Sequence, residues 1–394
     1  ALMVAGGVLP TSEMLSVFGS SAAITIACMM VIATALSEAG LLDWMGKSIR
    51  DYAGDNPVRA LVPLLAFVFV ISAFMNNTPA VIILAPVLIE IGRKMGKSPH
   101  RYLIPLSYIA IMGGMTTLIG TSTNILVDSI AQDNGLEPFY IFEITLPALI
   151  MAAGGITFLC LVGRHILPAE ERTTLTRRRL SQMLSFERAK KQDLDIPKAI
   201  IASLTLLCVV ILAAFNVLPL AGLALIGAVF VLVTGCVTPQ KAYESMDWSV
   251  LLVIFGMLGI GKGIQATGGG ELLVNGMVGF AEGYGPVVIL AALYLLTSFL
   301  TETVTNNAVA VILTPLVIGM CQSLGLEPRP YLIAVMLASS ASFATPIGYQ
   351  TNTYVYMKGK YKFRDFIKIG LPMNILMWGI AVCVIPLFWD LKAS

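Results

Sequence analysis

The sequence predicts an all-α polytopic membrane protein, built as an inverted-topology repeat with two re-entrant helical hairpins and broken transmembrane helices. Three observations carry this. The 394 residues are 57% hydrophobic and only 12% charged, whereas a soluble domain has about 25% charged residues. The chain matches itself at a fixed offset. Each copy is also interrupted, at corresponding places, by Asn, Thr and Gly clusters inside apolar runs.

The offset is 229 residues for Pro10 with Pro239, Ser16 with Ser245, Asn77 with Asn306 and Pro86 with Pro315. It becomes 228 for Ile119-Gly120 with Ile347-Gly348 and Asn124 with Asn352, and 225 for Leu146-Pro147 with Leu371-Pro372. The copies are assigned to 1–168 and 199–394. The second opens with two apolar segments, Ala199–Asn216 and Leu218–Gly235, each near bilayer-spanning length. The first keeps only Ala1–Gly7 of these, so one and a half N-terminal helices are expected to precede it.

Each copy continues alike. A helix (Ser20–Ser37; Ser249–Gln265) leads into a Gly-interrupted stretch, with hairpins expected at about 40–74 and 268–302. A helix then follows the paired asparagines (Thr78–Arg93; Ala308–Gln322). Next is a segment broken near its middle (Tyr102–Ala131; Tyr331–Met357), then a last helix (Phe142–Ile166; Phe366–Leu387). Non-helical backbone at membrane depth is tolerated only where protein or a cavity surrounds it.

Residues 169–198 form the one strongly charged stretch. Ala169–Ala199 carries eight Lys/Arg and five Asp/Glu, a cytoplasmic linker by the positive-inside rule. Counting crossings from it puts the basic segments Gly92–Arg101 and Lys358–Arg364 on the same side. The copies are then antiparallel, as in many secondary transporters, and the expected location is an inner or plasma membrane.

Transporters of this kind bind near the midplane, at the repeat interface. Two loops per copy qualify. The hairpin tips carry Ser72, Asn76, Asn77 and Thr78, and Thr301, Thr305, Asn306 and Asn307. The later breaks are Met115–Asn124 and Phe343–Asn352. Hydroxyls, amides and free N–H groups at helix N-termini suit an anion. Asn and Ser/Thr oxygens with unwound carbonyls suit a group-one or group-two cation. The plainer reading of the asparagines is helix capping, which is compatible with ligation.

Glu302 is an intramembrane carboxylate, a functional candidate by default. Two roles stay open for it: binding a cation or proton, or accepting hydrogen bonds within the protein. Ala73 stands at the matching position. Lys262 reads as a partner for an acid. The run Gly256–Gly263 resembles a phosphate loop without its spacing, so helix packing is the expected role. The six cysteines lack paired spacing, and His100 and His165 sit at segment ends beside Arg101 and Arg164. The residues carry no HExxH, nucleophile elbow or triad, so the chain is not expected to be an enzyme. Nothing points to nucleic acid.

The tip motifs Asn76-Asn77-Thr78 and Thr305-Asn306-Asn307, with the break Ala344–Asn352, resemble those of the divalent-anion:sodium symporters. Within that family, `PIGYQTNTYVY` looks most like the sulfate-transporter branch. The resemblance implies a homodimer working by an elevator movement. It implies one sodium site at Ser72, Asn76, Asn77 and backbone near Thr116. A second would lie at Thr301, Thr305, Asn306 and backbone near Ala344. Asn77, Thr78, Asn306, Asn307, Thr345 and Pro346 would face the anion. Three positions depart from the pattern: Asn76 replaces Ser, Asn307 replaces Thr, and Leu118 stands where the second copy has Pro346.

The expected function is therefore sodium-driven symport of a small divalent anion, sulfate ahead of a C4 dicarboxylate. One alternative is a proton-coupled antiporter or arsenite-type exporter on the same architecture, titrating Glu302. Another is a channel or a transporter-derived sensor.

Overall fold

A computed structural model describes residues 2–53, 57–94, 98, 100–163, 166 and 193–392. The first run of helices is α1 (Leu2–Ala5), α2 (Thr11–Ser16), α3 (Ser21–Glu38), α4 (Leu41–Ala53), α5 (Pro57–Ser72), α6 (Asn77–Lys94), α7 (His100–Gly114), α8 (Ser122–Asp133) and α9 (Thr145–Phe158). A π-helical turn, Leu159–Gly163, extends the last. The second run is α10 (Ile196–Ala214), α11 (Leu220–Val233), α12 (Pro239–Ser245), α13 (Trp248–Ala266), α14 (Gly269–Ala281), α15 (Pro286–Thr301), α16 (Asn306–Leu324), α17 (Pro328–Ser340), α18 (Gln350–Gly359) and α19 (Phe363–Phe388). From α2 and α12 onward the two runs correspond element for element. Most of the expected linker, 169–192, and His165 lie outside the described residues.

Among the described residues six helical stretches are long and apolar enough to cross a bilayer: Thr11–Glu38, Thr145–Gly163, Ile196–Ala214, Trp248–Ala266, Asn306–Leu324 and Phe363–Phe388. Local chemistry sets their ends. Asp195 accepts from Lys198 N at the start of α10, and Asp247 from Val250 N at the start of α13. α16 stops at Gly325, whose φ of 64° suits a residue without Cβ.

The hairpin arms differ from the expected bounds. The stretch 40–74 folds as α4 and α5, and the loop bearing the asparagines joins α5 to α6. The arms that meet at the first tip are thus α5 and α6, and at the second α15 and α16. α4 is a separate amphipathic helix. It buries Leu42 and Ile49 while Trp44 and Lys47 face outward, the pattern of a helix lying along a membrane surface. Its polar residues Asp43, Lys47 and Asp51 dilute an apolar run that looked like a hairpin arm.

α3 is buried almost all round and packs against α10 and α11. The two broken helices cross over between copies. α8 packs on α16 and α17 of the second run, while α18 packs on α6 and α7 of the first. Ser107 Oγ of α7 lies within hydrogen-bond distance of both Asn352 Oδ1, 2.7 Å, and Thr351 Oγ1, 2.8 Å, of α18, and Thr123 of α8 bonds Ser340 of α17 at 2.6 Å. The Gly-rich α13 is a packing helix: Met14 lies against Gly259 and Met3 against Gly263. Lys262 donates to Ser16 Oγ, 2.7 Å away.

Candidate anion and cation sites

Each tip is a helix C-terminus, a short turn and a helix N-terminus, and each break has the same composition. Four N-termini therefore exist near the centre: those of α6, α8, α16 and α18. Residues from all four line one cavity of about 190 Å³. Its polar wall is Asn76, Thr121, Ser122, Thr123, Thr305, Asn306, Asn307, Tyr349 and Gln350, and its apolar wall includes Ile26, Met29 and Met30 of α3. None of the lining residues carries a charge. Free N–H groups and the positive ends of helix dipoles make such a convergence favourable for an anion.

Capping is directly visible. Asn76 Oδ1 accepts from Thr78 N at 3.2 Å, and Thr305 Oγ1 from Ala308 N at 3.4 Å. The next residues reach across the repeat. Thr78 Oγ1 donates to Gln350 Oε1 at 3.1 Å, and Ser122 Oγ to Asn307 Oδ1 at 2.8 Å. Thr78 corresponds to Asn307 and Gln350 to Ser122, so these are one contact made twice. Gln350 also donates to Asp247 at 2.8 Å, tying the tip to the start of α13.

The expected anion-facing residues separate. Asn306 and Asn307 line the cavity, but Asn77, Thr78, Thr345 and Pro346 do not. Asn77 is 1% exposed and donates to Tyr349 OH, which does reach the cavity. Thr78 is turned to Gln350. Thr345 N and Oγ1 are both committed to Glu302, and Pro346 O accepts from Thr353. Ser122, Tyr349 and Gln350 were missed as site residues because their roles depend on the crossing of α8 and α18 between copies. The matching of Ser122 with Gln350 at offset 228 was the available signal.

Behind each tip the break is pinned alike. Thr117 Oγ1 donates to Ala73 O, as Thr345 Oγ1 does to Glu302 O. Gly120 N donates to Thr117 Oγ1 and Gly348 N to Thr345 Oγ1, both at 3.1 Å. Asn124 donates to Thr117 O at 3.0 Å and Asn352 to Thr345 O at 3.2 Å.

Glu302, 9% exposed, accepts from Ala344 N (2.7 Å), Thr345 N (2.8 Å) and Asn374 Nδ2 (2.8 Å). The carboxylate therefore ties tip, break and α19 together.

The first copy also gathers acceptors. The C-termini of α5 and α7 aim carbonyls of Ser72, Ala73 and Gly114 at the space a side chain on Gly120 would take, the first two within 2.9 Å. Ser72 Oγ, Asn77 Oδ1 and Asn124 Oδ1, on the same tip and break, are buried without a hydrogen-bond partner. Half-helix C-termini and unwound carbonyls are the groups that hold sodium in transporters, so these residues fit such an ion. Of the backbone near Thr116, expected to join them, the Thr116 carbonyl accepts from Thr145 Oγ1 at 2.7 Å. Among the described residues no group of three His, Cys, Asp or Glu side chains offers a multivalent metal site.

Comparison with known proteins agrees with this architecture. The family model CitMHS, citrate transporter, matches residues 1–323 and 304–393. An uncharacterised transporter of Synechocystis sp. is 24% identical over 95% of this chain and 90% of its own length. Sodium/sulfate cotransporter 1 of Chlamydomonas reinhardtii is 31% identical, over 40% of this chain and 18% of the relative. The YdaH transporter of Alcanivorax borkumensis has a TM-score of 0.64 at 16% identity, covering 95% of this chain and 86% of that one. MtrF of Neisseria gonorrhoeae gives 0.61 at 13%, covering 95% and 82%. At such identities the two structures speak for the fold alone.

Proposed function

Because the chain belongs to the citrate transporter family, we propose that it is a sodium-coupled symporter of a small divalent anion, sulfate ahead of a C4 dicarboxylate. Transport, not catalysis, is the family's activity, and the chain is an integral multi-pass membrane protein. The observation that carries the finer reading is the ring of four helix N-termini around a cavity of about 190 Å³ with no basic side chain. Larger ligands usually occupy pockets of roughly 300–1,000 Å³. A tetrahedral dianion accepts hydrogen bonds on every side, which matches donors arriving from four helices. The names of the Chlamydomonas relatives support sodium and sulfate.

In this reading, residues 1–168 and 199–394 are inverted repeats joined by a cytoplasmic linker, 169–198, and their tips are re-entrant. The crossed helices α8 and α18 lock α5–α9 and α15–α19 into one body. That body carries the anion in an elevator movement against α3, α10, α11 and α13, within a homodimer. Glu302, with three donors already on its carboxylate, serves as a structural acceptor and not as a proton carrier.

Reconstituted protein should take up radiolabelled sulfate faster than succinate, citrate or phosphate, and only with an inward sodium gradient. Uptake that is unchanged without sodium sinks the coupling. Preference for citrate sinks the substrate assignment.

A further inference from the structure

The two copies are alike in backbone and in register, yet they differ at three matched oxygens. Ser72, Asn77 and Asn124 correspond to Thr301, Asn306 and Asn352. In the first copy Ser72 Oγ, Asn77 Oδ1 and Asn124 Oδ1 are all buried and unpartnered. In the second, every counterpart is engaged. Thr301 Oγ1 lies 2.6 Å from Asn306 Oδ1 and 2.8 Å from Ser339 O, its one proton shared between the two acceptors. Asn352 Oδ1 accepts from Ser107 Oγ at 2.7 Å. The residue matching Ser107 in the second copy is apolar, Val335 or Met336 by the two offsets, so Asn124 receives no such donor.

The central space differs too. In the first copy the position beyond Gly120 is ringed by carbonyls of Ser72, Ala73 and Gly114. In the second, Gly114 is replaced by Ser342, and Ser342 Oγ fills the position beyond Gly348, with Glu302 Oε2 and Thr345 Oγ1 each 3.1 Å away. Glu302 stands where the first copy has Ala73, adding a carboxyl group already satisfied by protein donors. Leaving a buried acceptor unpaired is unfavourable, so the first copy, with three such oxygens, gains more by taking a cation than the second, whose one unpaired oxygen there is Asn374 Oδ1 on the α19 partner of Glu302.

Resting on the sodium reading above, we propose that this chain holds its coupling cation in the first copy alone, the second copy's half-site being closed by its own side chains. The protein is thereby a one-site variant of a two-site architecture. Its remaining structural carboxylate, Glu302, holds the second tip and break together without an ion.

Equilibrium binding of ²²Na⁺ to the purified full chain tests this, with sodium-induced shifts in melting temperature as a second readout. One sodium per chain is expected, with a Hill coefficient near one. Ser72→Ala and Asn124→Ala should each weaken sodium about tenfold or more, the scale of losing one contact to a charged group. Thr301→Ser, which keeps the hydroxyl and the fold, and Thr301→Val, which removes it, should change sodium affinity less than about twofold, within the scatter of a site not in contact. Two sodium ions per chain overturn the inference while leaving sodium coupling intact, as does a Thr301→Val effect equal to that of Ser72→Ala. Absence of any bound sodium overturns the coupling itself, and this inference with it.

Discussion

Asn77 donates its side-chain amide to the hydroxyl of Tyr349, 2.9 Å away, joining the tip of the first copy to the break of the second. The two residues are 272 positions apart in the chain. One oxygen of the pair, Asn77 Oδ1, is left buried without a partner beside Gly114, while Tyr349 lines the anion cavity. The pair thus spans both halves of the site.

Tyr349→Phe removes the acceptor and leaves the Asn77 amide buried without a partner, a loss of about 1–3 kcal/mol. The expected result is a KM for the anion raised roughly 5- to 100-fold, at 1.4 kcal/mol per tenfold, with the fold retained. Uptake kinetics measured at matched reconstitution levels check it; an unchanged KM counts against a role for the pair in binding.

Asn307→Asp preserves shape and places a negative charge on the cavity wall. Neutral donors serve the anion there, so like-charge repulsion is added where no basic residue offsets it. Anion uptake should be abolished while circular dichroism stays that of the parent. Persistent uptake would move the anion elsewhere.

Glu302→Gln turns one acceptor oxygen into a donor that faces Ala344 N–H, Thr345 N–H or Asn374 Nδ2. Leaving one of these buried donors unpaired costs about 1–3 kcal/mol, so the melting temperature should fall and uptake with it at every pH. A variant as stable as the parent, with a flattened pH profile, would instead identify Glu302 as a proton carrier.

Arg329 at the start of α17 forks onto Glu143 at 2.6 and 2.7 Å, donates to the carbonyls of Glu137 and Pro138, and stacks 4.3 Å over Phe139. It clamps the segment whose Ile141 and Thr145 bond the first break at Leu118 N and Thr116 O. Arg329→Lys keeps the charge and loses the fork. Stability should drop by about 1.5–3 kcal/mol, measured by thermal melting, and more than for Glu137→Ala, which leaves the backbone carbonyl in place.

The order of elements was legible because it rests on local signals. Polar and Gly-rich interruptions within apolar runs mark each tip and break, and the offsets of 229 and 228 align them. The sequence also placed Ser72, Asn77, Asn306 and Asn307 at the tips. Pairing across copies was not legible. Nothing adjacent to Asn124 reveals that it lacks the donor Asn352 has, because that donor, Ser107, lies on another helix. Likewise Glu302 reads as a lone charge until Asn374, 72 residues later, arrives beside it. Hydropathy also misjudged α4, whose burial on one face only emerges once α5 and α6 fold against it.

The crossing of α8 onto α16 and α17 has a consequence for how the protein is made. Ser122 meets Asn307 only after a further 185 residues exist. At about 5–20 residues per second, synthesis of that length takes roughly 10–40 s. Throughout that interval Ser122 and Thr123 of α8 lack their final partners, Asn307 and Ser340. The first repeat is therefore born with the hydroxyls of Ser122 and Thr123 unpaired across the repeat interface. A ribosome-stalled chain ending before α16 should leave Asn124→Cys open to a water-soluble maleimide, and the finished chain should protect it.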